Sequence, residues 1–347
     1  MQEYSYVPKG MIANVRPVDG IQFDWLVMLA SIWYVGGLFL DGWAHNHGKV
    51  DQSFFTPWHA VLYSGYAVTA AVILSAVVRN HLAGYTGRMA IPAGYELSLL
   101  GIAIFAVGGV GDLIWHTLFG IEMDIAALLS PTHLILALGL ALIVTGPLRA
   151  AWRRTDVPRS WAYQLPMILS LTSLLSLFTF FTQYANPIVH SMADKQGPEA
   201  LQSLGIVSIL FQTAILTSLV LLVVRRWRLP LGAFALIFAV NDASSSILAD
   251  NSPVLYVAIL GAVTGLIVDL LYSGLKYTAD QPGQFRLFAF AVPVIAYSIY
   301  FVALLVLQTI AWSIHLWAGS IVLAGIIGWL ISYLFVPPSI PDQLSIS

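Results

Sequence analysis

The chain has 347 residues, of which 59% are hydrophobic and only 9% charged, and its formal net charge is -2. So few charges cannot solvate a soluble globule of this length, and apolar runs of about 20 residues match the hydrocarbon core of a bilayer. The lack of cysteine excludes disulfides, thiolate metal sites, iron–sulfur clusters and thioether-linked haem, and nothing in the charge pattern points to nucleic acid.

Hydropathy predicts an all-α fold: a polytopic membrane helix bundle of about ten transmembrane helices, at 21–43, 55–78, 91–118, 129–148, 160–185, 202–224, 229–248, 253–273, 286–308 and 312–336. Residues 1–20 are polar, so no cleavable signal peptide is expected. With ten spans and a cytoplasmic N-terminus, 13 of the 15 Lys and Arg fall on the cytoplasmic side, leaving only Lys49 and Lys195 outside. That asymmetry is what the positive-inside rule requires, and it makes both termini cytoplasmic. Histidine has the opposite bias. His45, His47, His59, His116, His133, His190 and His315 all lie at outer helix ends or loops, and only His81 lies inside. The expectation is an integral protein of a bacterial or archaeal cytoplasmic membrane with its chemistry toward the outer face. The basic loop 153–159 is the best internal boundary; it separates a four-helix region, 1–150, from a six-helix region of unassigned role, 151–347.

Within spans 1–4 the chain repeats itself as two-helix units. Asp41-Gly-Trp-Ala-His45 is followed by Thr56-Pro57-Trp58-His59, and Asp112-Leu-Ile-Trp-His116 by Ser130-Pro131-Thr132-His133. Asp41 and Asp112 stand 71 positions apart, as do His45 and His116. Residues i and i+4 of a helix share a face, so each Asp/His pair projects together. Pro57 and Pro131 suit a first helical turn, which returns His59 and His133 to the depth of those pairs. Each unit can close a three-ligand Asp/His/His site with a free coordination position. An ionisable group at membrane depth costs about 2.5–3.5 kcal/mol on insertion scales unless paired or metal-bound, so a trio placed twice argues for use. Two imidazoles and a carboxylate suit zinc, non-haem iron or copper. Asp51, Glu122 and Asp124, in the outer loops, are candidates to accept a hydrogen bond from a ligand imidazole or to relay protons.

The other candidates have plainer readings. His190 and His315 are single and unpatterned, His47 and His81 read as loop residues, and Trp43, Trp58 and Trp115 read as an aromatic belt at the interface. Asn241-Asp242, Ser246 and Asp250-Asn-Ser-Pro253 echo the repeat as a degenerate third copy without histidine.

Over roughly residues 25–145 the chain resembles the C-type membrane subunit of the copper membrane monooxygenases, the particulate methane and ammonia monooxygenases. Asp41, His45 and His59 match one site of that family position by position, and Asp51 with Phe55-Thr56-Pro57 matches its turn. His116, Thr117, Glu122 and His133 match the second, where Asp112 stands in place of the family's usual Asn. The resemblance implies copper at both sites and, more weakly, oxygen-dependent oxidation of a small apolar molecule. It further implies a quinol electron donor, partner membrane subunits or a homo-oligomer, and a surrounding lipid bilayer.

Three other functions compete with it. A metal or proton transporter would use the same residues transiently but needs polar groups near the midplane, whereas nearly all of them cluster at the outer face and only Glu96 and Asp269 are clear acidic candidates deep in the other half. A haem protein would use His59 and His133 as axial ligands, with no need of the aspartates. A non-catalytic membrane subunit would hold structural metals.

Overall fold

The computed structural model describes residues 17–49, 54–120, 122, 124–155, 157–190, 192–193, 198–250, 252–275 and 282–338. Among these the chain is helical, with no strand. The first hairpin is α1 (Ile21–Asn46) with α2 (Pro57–Leu82). The second is α3 (Glu96–Phe119) with α5 (Pro131–Val144), preceded by a short α4 (Asp124–Leu129) and continued by α6 (Gly146–Arg153). Then follow α7 (Trp161–Phe181), α8 (Pro187–His190), α9 (Glu199–Arg226), α10 (Ala233–Ile247), α11 (Val254–Gly274), α12 (Pro282–Val306) and α13 (Ile314–Phe335).

Eight of these helices are each long and apolar enough to cross a membrane. The other two predicted spans differ from straight spanning helices, each for an identifiable reason. The fourth is broken between α5 and α6 by a bend of 40°. Pro147 stands just after the break, where its ring removes the hydrogen bond to the preceding turn. The seventh, α10, has only 15 residues. It starts inside the protein, where Ala233 and Phe234 are fully buried. Its first amides are met by a side chain from the next helix: Asp269 of α11 accepts from Ala235 N (3.1 Å) and Phe234 N (3.4 Å). A carboxylate here satisfies donors that no preceding turn can reach and complements the positive end of the helix dipole. Asp269→Ala strands those buried amides at about 1–3 kcal/mol each. The variant is expected to melt at a lower temperature in detergent, with Asp269→Asn between it and the parent; equal melting of all three would show that the cap contributes nothing.

Glycines let the helices of each hairpin touch. A Cβ on Gly37 would lie 2.7 Å from Leu62 Cα, and one on Gly65 2.6 Å from Tyr34 Cα. In the second hairpin a Cβ on Gly139 would lie 2.8 Å from both Phe105 N and Phe105 Cβ. Small residues at such crossings replace a hydrophobic drive that lipid does not supply. Gly65 and Gly139 each follow the returning histidine by six residues.

At the end of α1 opposite Asp41, about 25 Å away by helical rise, arginines neutralise the acids. Asp24 accepts from Arg154 (2.5 Å) and from Tyr95 Oη (2.8 Å), and Arg153 meets Glu96 at 2.5 Å. Arg149 donates to Gly94 O (2.9 Å), Ser98 Oγ (2.8 Å) and Leu142 O (2.8 Å), which ties α6 to α3 and α5 across the bend. The six-helix region packs directly on the hairpins: Phe180 of α7 meets Phe39 of α1 edge-on at 5.3 Å, and Asn46 donates to Gln183 Oε1 (2.7 Å) and Leu248 O (2.8 Å).

Candidate metal centre

The two trios converge in space as two separate groups. Asp41, His45 and His59 offer ligand atoms all within 4.8 Å of one another, and so do Asp112, His116 and His133. The helix starts set the returning histidines. Thr56 and Ser130 are N-caps whose hydroxyls accept from His59 N (3.1 Å) and His133 N (3.4 Å), each followed by proline at the first turn.

Hydrogen bonding then fixes three of the four rings. His59 Nδ1 lies 2.6 Å from Phe54 O, His116 Nδ1 lies 3.2 Å from Gly120 O, and His133 Nδ1 bonds Ala127 O. A carbonyl cannot donate, so each Nδ1 carries the proton and each neutral ring presents a lone pair at Nε2. Those lone pairs face carboxylates. His59 Nε2 is 3.5 Å from Asp41 Oδ1, while His45 Nε2, on a ring whose tautomer no such hydrogen bond sets, is 4.0 Å from Asp41 Oδ2. His116 Nε2 and His133 Nε2 are 3.5 and 3.1 Å from Asp112 Oδ1. Acceptor opposed to acceptor at these distances calls for a positive centre between them. In the second trio one metal ion satisfies all three acceptors at once, whereas protons would place two imidazolium charges side by side; in the first trio the fixed opposition is between His59 Nε2 and Asp41 Oδ1. The spacing suits an ion: ligands at about 2.1 Å from a tetrahedral or octahedral metal stand roughly 3.0–3.4 Å apart. The second trio is close to that, and the first is more open.

The trios differ in what supports the aspartate. Thr132 Oγ1 donates to Asp112 Oδ1 at 2.8 Å, and Asp112 is only 2% exposed. The place of Thr132 is taken by Trp58 in the first trio, and Asp41 Oδ1 is buried with no hydrogen-bond partner. An orphaned carboxylate oxygen 3.5 Å from an imidazole lone pair is a local demand for a cation. Glu122 sits 3.1 Å from His116 Nδ1 and accepts from Trp115 Nε1, so Trp115 steadies a second acid beside the ligand set. Asp51 and the side chain of Asp124 lie outside the described residues.

One cavity, of about 320 Å³, touches both groups: Asp41, His45 and His59 line it together with Asp112 and His133. Sequence reasoning left open whether the two sites meet, because the contact depends on how the hairpins pack. It also missed the residues between them. Phe54 lies 4.9 Å from the His59 ring and 6.1 Å from the His116 ring. Tyr63 lines the cavity with its hydroxyl buried and unpartnered. Phe180 reaches in from α7 over Gly42, where a Cβ would stand 2.3 Å from its ring. Only the i+4 place of Tyr63 after His59 hinted at this.

The remaining histidines stand apart from the trios. His47 Nδ1 bonds Trp43 O (2.8 Å) and its Nε2 is 3.6 Å from Asp250. His315 is exposed on α13, and His81 is exposed in the last turn of α2. Among the described residues no third group of such ligands forms around Asp242 or Asp250. His59 and His133 each direct Nε2 at a different carboxylate, an arrangement a bis-histidine haem does not use.

Fold and site together define a helical protein of membrane type with two Asp/His/His groups that can hold metal ions. No family model, no curated protein and no solved structure matches the chain.

Proposed function

We propose that this protein is a copper-binding membrane protein akin to the C-type subunit of the copper membrane monooxygenases, with one copper per trio, that oxidises a small apolar molecule at the expense of oxygen. The observation that carries the metal reading is the buried, unpartnered Asp41 Oδ1, set against the His59 lone pair in a trio that opens on a cavity shared with the second trio. The choice of copper rests on the sequence resemblance. Bound copper would supply redox chemistry with oxygen and a quinol would supply electrons; the chain's own residues prepare the site. Asp41 and Asp112 bring the anionic charge. The carbonyls of Phe54, Gly120 and Ala127 hold the Nδ1 protons and keep Nε2 free for the ion. Leu38, Leu62, Phe105, Leu136 and Leu140 line the shared cavity, which suits an apolar substrate arriving through lipid.

A transporter is less well supported. Of the acids that the sequence offered it, Glu96 pairs with Arg153 at the helix ends opposite the trios and Asp269 caps the start of α10.

Metal analysis of detergent-purified protein by mass spectrometry, beside a His45→Ala/His116→Ala double variant, tests the reading. Copper that is present in the parent and lost in the variant is the expected result. Zinc or iron would keep the trios and overturn the copper chemistry. No metal after reconstitution with copper would overturn the metalloprotein reading itself.

A further inference from the structure

A second cavity, of about 310 Å³, lies among the C-terminal helices, bounded by α7, α8, α9, α10, α11 and α12. That volume is at the lower end of small-molecule sites and is larger than a bare ion requires. Among the described residues that line it the one acid is Asp242. Asn241 Nδ2 donates to Asp242 Oδ1 at a long 3.4 Å, and among the described residues no Lys, Arg or His pairs with this carboxylate. Asp242 Oδ2 lies against α11 where Gly261 leaves room for it; a Cβ there would be 2.8 Å away.

The other polar groups lining the cavity have largely turned their hydrogens back onto the protein. Thr179 Oγ1 bonds Asn241 Oδ1 at 3.0 Å. Gln212 Nε2 donates to Thr182 Oγ1 (3.0 Å) and Ala185 O (2.9 Å). Thr264 donates to Leu260 O (2.8 Å), and Tyr297 Oη to Ile209 O (3.1 Å). What these groups retain is oxygen lone pairs. A chamber with one uncompensated carboxylate, acceptor oxygens and apolar walls such as Leu175, Phe238 and Leu304 complements a ligand with positive charge, N–H donors and a hydrocarbon body. We infer that this cavity binds a small organic ammonium cation, with Asp242 as its counter-ion. The inference is independent of the copper reading, since none of these residues belongs to either trio.

The test is calorimetric titration of full-length protein in detergent with butylammonium chloride, using sodium chloride and butanol as matched probes. The parent is expected to saturate with butylammonium and to bind neither matched probe. Asp242→Asn is expected to weaken binding by about tenfold or more, the scale of a lost charge-assisted hydrogen bond, while its metal content stays at the parental level. Ala296→Phe, which fills the cavity from α12 without touching the charge, is expected to abolish binding, and it carries the test alone if Asp242→Asn does not fold. Equal binding by the parent and the folded variants, or no saturation of the parent, would overturn the proposal. Heat released by sodium chloride alone and lost in Asp242→Asn would overturn the organic cation in favour of an alkali-ion site.

Discussion

Asp112→Ala is expected to empty the second trio and to destabilise the folded protein, whereas Asp112→Asn is expected to keep a metal there. In the parent, Asp112 Oδ1 gathers Thr132 Oγ1 at 2.8 Å, His133 Nε2 at 3.1 Å and His116 Nε2 at 3.5 Å. Alanine removes the single atom on which all three converge and leaves a buried hydroxyl and two buried imidazoles facing a void. Leaving a buried polar group without its partner costs about 1–3 kcal/mol. Asparagine keeps an oxygen in place for Thr132 and for an ion but removes the negative charge, and it is the residue expected there from the resemblance to the copper monooxygenases. Metal per chain and denaturant midpoint in detergent are the readouts. The alanine variant should lose about half of the metal, since the first trio shares no ligand with the second. Full metal retention by Asp112→Ala would remove Asp112 from the ligand set.

The trios were legible in the sequence because their determinants are local. The i, i+4 spacing of Asp41 with His45 fixes a shared helix face, and a capping hydroxyl followed by proline fixes where His59 starts its helix. Glu122 was legible for the same reason, since it lies only six residues after His116 in the sequence. The contents of the shared cavity were not legible, because they come from helix packing. Phe180 reaches Gly42 from a helix more than a hundred residues later, and Tyr63 reads in sequence as one more interfacial aromatic. The shortness of α10 escaped as well. Hydropathy reports that 229–248 is apolar, but where the helix starts is decided by Asp269, a carboxylate 34 residues beyond the Ala235 amide it caps. Asp269 looked like a transport residue only because a deep acid with a tertiary role resembles a deep acid with a functional one.

This division says something about how the site is held. The rings of His59, His116 and His133 are aimed by their own hairpins, through caps and carbonyls within six residues of them. The space between the hairpins is closed by the six-helix region, through Phe180, Phe181 and Gln183. Substitutions in the hairpins should therefore act on metal content, and substitutions on the cavity face of α7 on access to it.

Gly65→Leu is expected to empty the first trio without touching any ligand. A Cβ at position 65 would stand 2.6 Å from Tyr34 Cα and 2.8 Å from Tyr34 N. Both are backbone atoms, so no rotamer change relieves the clash, and α1 and α2 must separate to ordinary contact distance. The first trio is divided across that seam, with Asp41 and His45 on α1 and His59 on α2, so separation opens a ligand set that is already the looser of the two. Position 65 is only about 9 Å along α2 from His59, too short for the helix to bend the displacement away. Overpacking a core costs about 1–3 kcal/mol where side chains can shift, and a backbone clash belongs at or above the top of that range. Gly36→Leu is the matched control, because nothing lies within 4 Å of a Cβ there. Both variants are best read in the Asp112→Ala background, where the first trio is the remaining metal site. The control should retain the metal and Gly65→Leu should lose it. Equal metal in the two would mean that the α1–α2 spacing does not set the first trio.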